Sequence, residues 1–129
     1  MSVVAIVTVL ALIVYMYTAL RVGLARGQYG VDAPAVSGHP IFERHYRVQM
    51  NTLEQLMVFL PALWLFATYA SAAFAAGIGV VFVIGRVIYA VTYVADPRRR
   101  TVGFLLGFLA NVILVVGALI GGGLALLRG

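Results

Sequence analysis

The chain has 129 residues, 64% hydrophobic and only 10% charged, with a mean hydropathy of +1.06; this excludes a soluble globular domain and makes it an integral membrane protein. Its net charge of +5 rests on arginines alone, with no lysine, and these flank apolar runs as topology signals do, so no nucleic-acid partner is expected. Without cysteine the chain has no disulfide, thiolate metal site or cysteine nucleophile, and any sulfur chemistry must arrive with a ligand.

In chain order, the first predicted span is residues 2–20, uncharged and read as a retained helix because arginines follow it and no basic residue precedes it. Arg21 to Tyr46 is read as a polar loop broken by Gly23, Gly27, Gly30, Pro34, Gly38 and Pro40. A second span is placed at about 45–69, with Pro61 inside it. A turn around Ser71 to Ala76 leads to the third, about 77–95, which Asp96-Pro97 ends; Asp96 can equally cap a helix that starts at Pro97. The fourth is about 102–127. The predicted architecture is thus a single all-α domain, an antiparallel up-down bundle of four transmembrane helices. Gly103 with Gly107 and Gly117 with Gly121 have the spacing of close helix contacts, within one subunit or between copies. The positive-inside rule puts the arginine-bearing loops in the cytoplasm and both termini outside. The arginine-only basic set, amid much Ala, Gly and Val, points to a bacterial inner membrane.

The stretch between Glu54 and Arg86 is uncharged over residues 55–85, too short for two crossings of ~20 residues each plus a turn. Two crossings therefore draw Arg47, Asn51, Glu54 and Arg86 below the membrane surface, where ionisable groups are costly and mark function. On helices, Arg44, Arg47, Asn51 and Glu54 form one stripe, and Arg86, Tyr89 and Tyr93 another. An Arg86–Glu54 ion pair is expected, either as a structural tie or as part of a site. The surplus of cations suits a ligand with more than one carboxylate and an ammonium group. Glu43 with Arg44 is a candidate loop-closing pair, and Asn111 a candidate interhelical donor. His39 and His45 are too few for a metal site, so no metal is expected.

The run Phe42-Glu43-Arg44-His45-Tyr46-Arg47-Val48-Gln49-Met50-Asn51-Thr52-Leu53-Glu54 resembles the F-E-R-x-x-R-x-Q-x-N-x-x-E signature of the MAPEG family, membrane-associated proteins of eicosanoid and glutathione metabolism. Gly85-Arg86-Val87-Ile88-Tyr89 with Tyr93 is similar to its third-helix pattern. The resemblance implies a homotrimer with glutathione bound between adjacent subunits near the cytoplasmic face. It further implies that Arg47, Asn51 and Glu54 contact glutathione, that Gln49 reaches it from the neighbouring subunit, and that Tyr89 and Tyr93 line the pocket. Arg26 looks like the arginine that holds a glutathione carboxylate. Arg100 aligns with the arginine that stabilises the thiolate, with Arg98 and Arg99 competing for that assignment. Gln55, where some relatives carry tyrosine, and the late position of Pro61 depart from the eicosanoid-forming pattern.

The expected function is a membrane glutathione S-transferase with Arg100 and Tyr93 as catalytic groups. It would add the thiolate to hydrophobic electrophiles in a detoxification role and also reduce peroxides with glutathione. Two other readings stay open on the residues alone: a small four-helix transporter coupled through Glu54, and a non-catalytic lipid-binding scaffold.

Overall fold

The computed structural model describes all residues from Met1 to Gly129 and contains four long helices and one short one: α1 (Ser2–Tyr29), α2 (Pro40–Tyr69), α3 (Ala72–Ala95), α4 (Pro97–Arg99, a single 3₁₀ turn) and α5 (Thr101–Arg128). The long helices are each long and apolar enough to cross a membrane. They run alternately up and down. Val7 of early α1 packs at Gly79 of early α3, Trp64 of late α2 donates its Nε1 to Thr8 Oγ1 at 3.0 Å, and Tyr69 ends beside Gly121 of late α5. The α2/α3 pair forms the centre, each member packing against both α1 and α5. Consequently the end of α1, the start of α2, the end of α3 and the start of α5 share one end of the bundle, where the arginines collect.

Three boundaries differ from the sequence expectation. Helix α1 runs on through Arg21 to Tyr29 instead of yielding to a loop. Gly23 and Gly27 cost about 1 kcal/mol each relative to alanine, yet Val22 and Ala25 are buried against Val31 and Phe42, and that small cluster holds the extra turns in place. The real stop is Gly30, whose φ of 69° is the left-handed cap position. Helix α2 begins at Pro40 because His39 caps it, its Nδ1 accepting from the Ile41 amide at 3.1 Å, with proline at the first helical position. Helix α3 begins at Ala72, since Ser71 Oγ accepts from the Phe74 amide at 3.2 Å. The connection is therefore only Ala70 and Ser71, not a longer apolar turn. Two further contacts correct smaller expectations: Glu43 closes the loop by accepting from the Gly38 amide at 3.3 Å, and Arg44 donates instead to Val94 O at 3.0 Å, tying α2 to α3.

The main apolar core, including Val4, Val7, Phe59, Leu63, Phe82 and Leu114, fills the half of the bundle away from the arginines, with Phe59 and Phe82 stacked 3.8 Å apart. Most of the remaining surface is apolar, as a lipid-facing surface must be. Both small-residue pairs pack inside the chain. A side chain at Gly103 would strike the backbone of Tyr89, one at Gly85 would come within 2.9 Å of Gly107 N, and one at Gly121 would come within 2.5 Å of the Tyr69 carbonyl oxygen. Helices α3 and α5 thus approach backbone to backbone. The connector between them is capped by Asp96, which accepts from the amide and guanidinium of Arg98; those hydrogen bonds hold the Asp96 carboxyl below its ordinary range.

Gly103→Ala is expected to lower the unfolding temperature in detergent distinctly, by the equivalent of about 1–3 kcal/mol, because the obstacle is backbone and cannot turn aside. Gly123→Ala, which meets nothing within 4 Å, is expected to be neutral or stabilising. Equal effects at both positions would contradict the close α3/α5 approach.

Candidate functional site

Arg86 is 1% exposed, ~14 Å inside the end of α3 by helical rise. Its Nη2 donates to Asn51 Oδ1 at 2.8 Å and to Thr52 Oγ1 at 2.9 Å, both on α2. Thr52 can accept because its own hydroxyl proton goes to Val48 O at 2.7 Å. The guanidinium also lies over the Tyr89 ring, 4.3 Å from its centroid. Gly107 of α5 covers the stem of Arg86, close enough that a Cβ there would rest in ordinary contact with Arg86 Cδ at 3.5 Å. Arg86 Nε and Nη1 have no partner within the chain.

The expected Arg86–Glu54 pair does not form. Asn51 and Thr52 are on the face of α2 turned toward α3, whereas Glu54 and Arg47 have rotated ~60° and ~40° past Asn51, and their side chains are 61% and 54% exposed. They pair with each other at 3.8 Å. The buried cation is therefore met at Nη2 alone by two neutral acceptors, with an aromatic face beneath it, and the carboxylate is left at the surface.

Around Tyr89 two of the candidate residues meet. Tyr89 stacks on Tyr93 with centroids 5.4 Å apart and lies beneath the Arg86 guanidinium. A cavity of about 430 Å³ at this end is lined by Arg47, Tyr93, Arg44 and Glu43, with Val36, Pro40 and Tyr46 completing it. Arg100 is exposed on the connector, with Nη1 donating to Pro97 O at 3.0 Å. Asn111 donates to Gln55 O at 3.3 Å and Oε1 at 3.1 Å, the interhelical bond expected of it.

Two predicted site residues are held elsewhere. Arg26 donates to Ala35 O at 2.7 Å and lies over the Phe42 ring, bracing the loop after α1. Gln49 points toward α1, 3.5 Å from the Tyr15 hydroxyl. Within one chain neither joins the Arg47–Glu54 set. Sequence reasoning missed Thr52; the available signal was a hydroxyl residue next to Asn51, placed where a buried arginine needs a second acceptor.

The family model described as MAPEG matches residues 4–120. The chain belongs to the MAPEG family. Within that family it is 51% identical over 116 residues to the uncharacterized protein sll1147 of Synechocystis sp., covering 90% of this chain and 85% of that protein. It is 39% identical over 117 residues to human microsomal glutathione S-transferase 2, covering 89% and 79% of the two chains. Guinea-pig leukotriene C4 synthase is 35% identical over 96 residues, 74% of this chain and 64% of that one. As a MAPEG protein, the chain has the all-helical, four-span membrane architecture that its sequence predicts.

Replacing Asn51 by leucine leaves the buried Arg86 one acceptor short and is expected to destabilise the protein by about 1–3 kcal/mol. Glu54→Gln, which breaks only an exposed pair, should cost ~0–1 kcal/mol. Chemical unfolding in detergent distinguishes the two; a larger loss at Glu54 would restore the ion pair with Arg86 and overturn the geometry.

Proposed function

We propose that this chain is a membrane-bound glutathione S-transferase that holds glutathione as the thiolate and conjugates it to hydrophobic electrophiles. The observation that carries this reading is the exposed Arg47–Glu54 stripe at membrane depth. Glu54 lies ~21 Å along α2, past the level at which a ~30 Å hydrocarbon core begins. Exposed charges at that depth require protein or a polar ligand against them, not acyl chains. A second copy of the chain packed on this face, as a homotrimer, would supply the cover. It would also bring its own Arg26 and Gln49 to a site between subunits.

The roles follow from the donor set. Arg47 offers a guanidinium fork to a glycyl or glutamyl carboxylate, and Glu54 an acceptor for the ammonium. Because Arg86 occupies Asn51 Oδ1, the Asn51 amide is oriented to donate its Nδ2 outward; Arg86 is in this sense a positioning residue. Tyr89 and Tyr93 wall the pocket. Arg100, satisfied at one nitrogen only, has donors left for the sulfur, and the Tyr93 hydroxyl is a second donor.

A free thiol with pKa near 8.5 is mostly protonated at neutral pH, and only its conjugate base attacks carbon well. Donation from Arg100 and Tyr93 stabilises that anion, and the thiol proton leaves to water. In substitution, the sulfur lone pair forms the S–C bond while the leaving group departs with the C–X pair. In epoxide addition, the C–O bond breaks and its oxygen takes up a proton. The same thiolate attacking a hydroperoxide would cleave O–O to give an alcohol and a sulfenic derivative, which a second glutathione converts to disulfide and water. Glutathione enters from the aqueous, arginine-rich end, assigned to the cytoplasmic side of a bacterial inner membrane, and the electrophile from the lipid. Pairing of Glu54 with Arg47 weighs against a proton-coupled carrier, which needs an acid free to titrate within the span.

With purified protein, glutathione and an activated aryl halide, conjugation well above the uncatalysed rate is expected. Arg100→Ala should lower kcat ~10²-fold or more and shift the ultraviolet thiolate signal of bound glutathione to higher pH by about two units. An unchanged thiolate titration in Arg100→Ala would remove that residue from the mechanism. Absence of both glutathione binding and turnover would remove the function. Light scattering is expected to give a protein mass three times that of the chain, and a monomeric mass would leave the Arg47–Glu54 face uncovered.

A further inference from the structure

On the opposite side of α2 from the Arg47–Glu54 stripe, α1, α2 and α3 enclose a second cavity of about 190 Å³ at the same arginine-rich end. Its polar wall is Arg21, Tyr17 and Thr18 from α1 and His45 from α2, and its apolar wall includes Val91 and Val94 of α3. Neither Arg21 nor His45 serves the site already described. His45 is buried, and Arg21 belongs to neither of the chain's two ion pairs. The cavity is thus cationic with no carboxylate in its lining.

It does not end there. A wholly apolar groove of about 330 Å³ continues along the α1/α3 seam, lined by Ile13, Val14 and Val87. Tyr17, Ala90 and Val91 line both spaces. From Arg21 to Ile13 the seam covers ~12 Å of helix, running from the interface toward the bilayer interior. Ile13, Tyr17, Val87 and Val91 are all about half exposed along it. A cationic head space that opens into an apolar channel facing the hydrocarbon matches an amphiphile with an anionic head and an acyl tail. Basic pockets between transmembrane helices at a membrane face are suited to lipid head groups of this charge.

We infer that the α1/α3 seam is a binding site for an anionic glycerophospholipid, its phosphate against Arg21 and His45 and one acyl chain along Ile13, Val87 and Val91. This site is independent of the thiol chemistry, because it uses the opposite face of α2 and none of the residues assigned to glutathione. The bound lipid would act as a wedge fixing α1 against α3, supplying the counter-charge that the chain itself withholds from Arg21.

The test is native mass spectrometry of delipidated protein offered equal amounts of phosphatidylglycerol and phosphatidylcholine with identical acyl chains. Phosphatidylglycerol adducts should predominate about fivefold, the size of one basic side chain's contribution at an anionic surface. Arg21→Gln should bring the ratio toward one, and Arg21→Lys should keep most of it. Val91→Trp, which fills the groove, should reduce adducts of both lipids. Equal retention of the two lipids by the unaltered protein, or a ratio unmoved by Arg21→Gln, would overturn the assignment. Glycerol 3-phosphate competing as well as the intact lipid would make this a free-anion site and overturn it too. A fall in oligomeric mass with Val91→Trp would make the seam a contact between copies instead. Failure of the transferase assay leaves all of these outcomes readable, since none depends on thiol binding.

Discussion

The structure depends on how it keeps one guanidinium inside a membrane without an acid. Arg86 is among the most deeply buried side chains of the protein, and a bare cation there would be expelled or neutralised. Two neutral acceptors, Asn51 and Thr52, meet one end of the fork, and the face of Tyr89 meets its plane. Each of those partners is fixed by something else: Thr52 by its bond to the Val48 carbonyl, Tyr89 by stacking on Tyr93. Because the donor and its acceptors belong to different helices, α2 and α3 are locked in register at the level of the site. A carboxylate in the same place would tie the helices more strongly in charge but would also cancel the positive field. The neutral arrangement preserves that field for an anion arriving from outside.

Glycine makes this burial possible. Helix α5 can cover Arg86 because Gly85 and Gly103 let two backbones approach where side chains would hold them apart. The same approach sets where the connector leaves α3, and hence where Arg98, Arg99 and Arg100 emerge. Asp96 then fixes the connector by capping its single turn. The position of Arg100 relative to Tyr93 is therefore set by packing deep in the bundle, and the polar end of the molecule is only as ordered as the glycine seam beneath it.

Much of this was legible in the sequence because hydrophobic length is a hard constraint. Two crossings could not fit between Glu54 and Arg86 without submerging polar residues, and Arg86, Asn51 and Tyr89 do meet. The pairing of Arg86 was misread because charge was weighed ahead of helix phase: Glu54 is the acid within the spans, but Asn51 and Thr52 hold the angular position that faces α3. The end of α1 and the start of α2 were misread for a related reason. Gly23 and Gly27 look like breakers, yet a glycine ends a helix where the chain must turn left-handed, as at Gly30, and not where Val22 and Ala25 on either side of it are packed. His39 as a cap through its ring nitrogen is a use of histidine that residue preferences at that position do not foresee.

Helix α2 emerges as the element that separates two chemistries. One face presents Arg47 and Glu54, and the other presents His45 to the seam with α1 and α3. A single helix can do this because His45 lies about half a turn of phase from both Arg47 and Glu54. The Arg47–Glu54 side is left exposed, and on the seam side Arg21 meets no acid in the cavity lining, so that in the proposed arrangement a bound lipid keeps α1 against α3. Were the seam's cation satisfied by an acid of the chain, the helices would gain a tie and lose any dependence on the surrounding lipid. Leaving Arg21 without an internal partner makes the packing of α1 responsive to the membrane in which the protein sits, on the far side of α2 from Arg47 and Glu54.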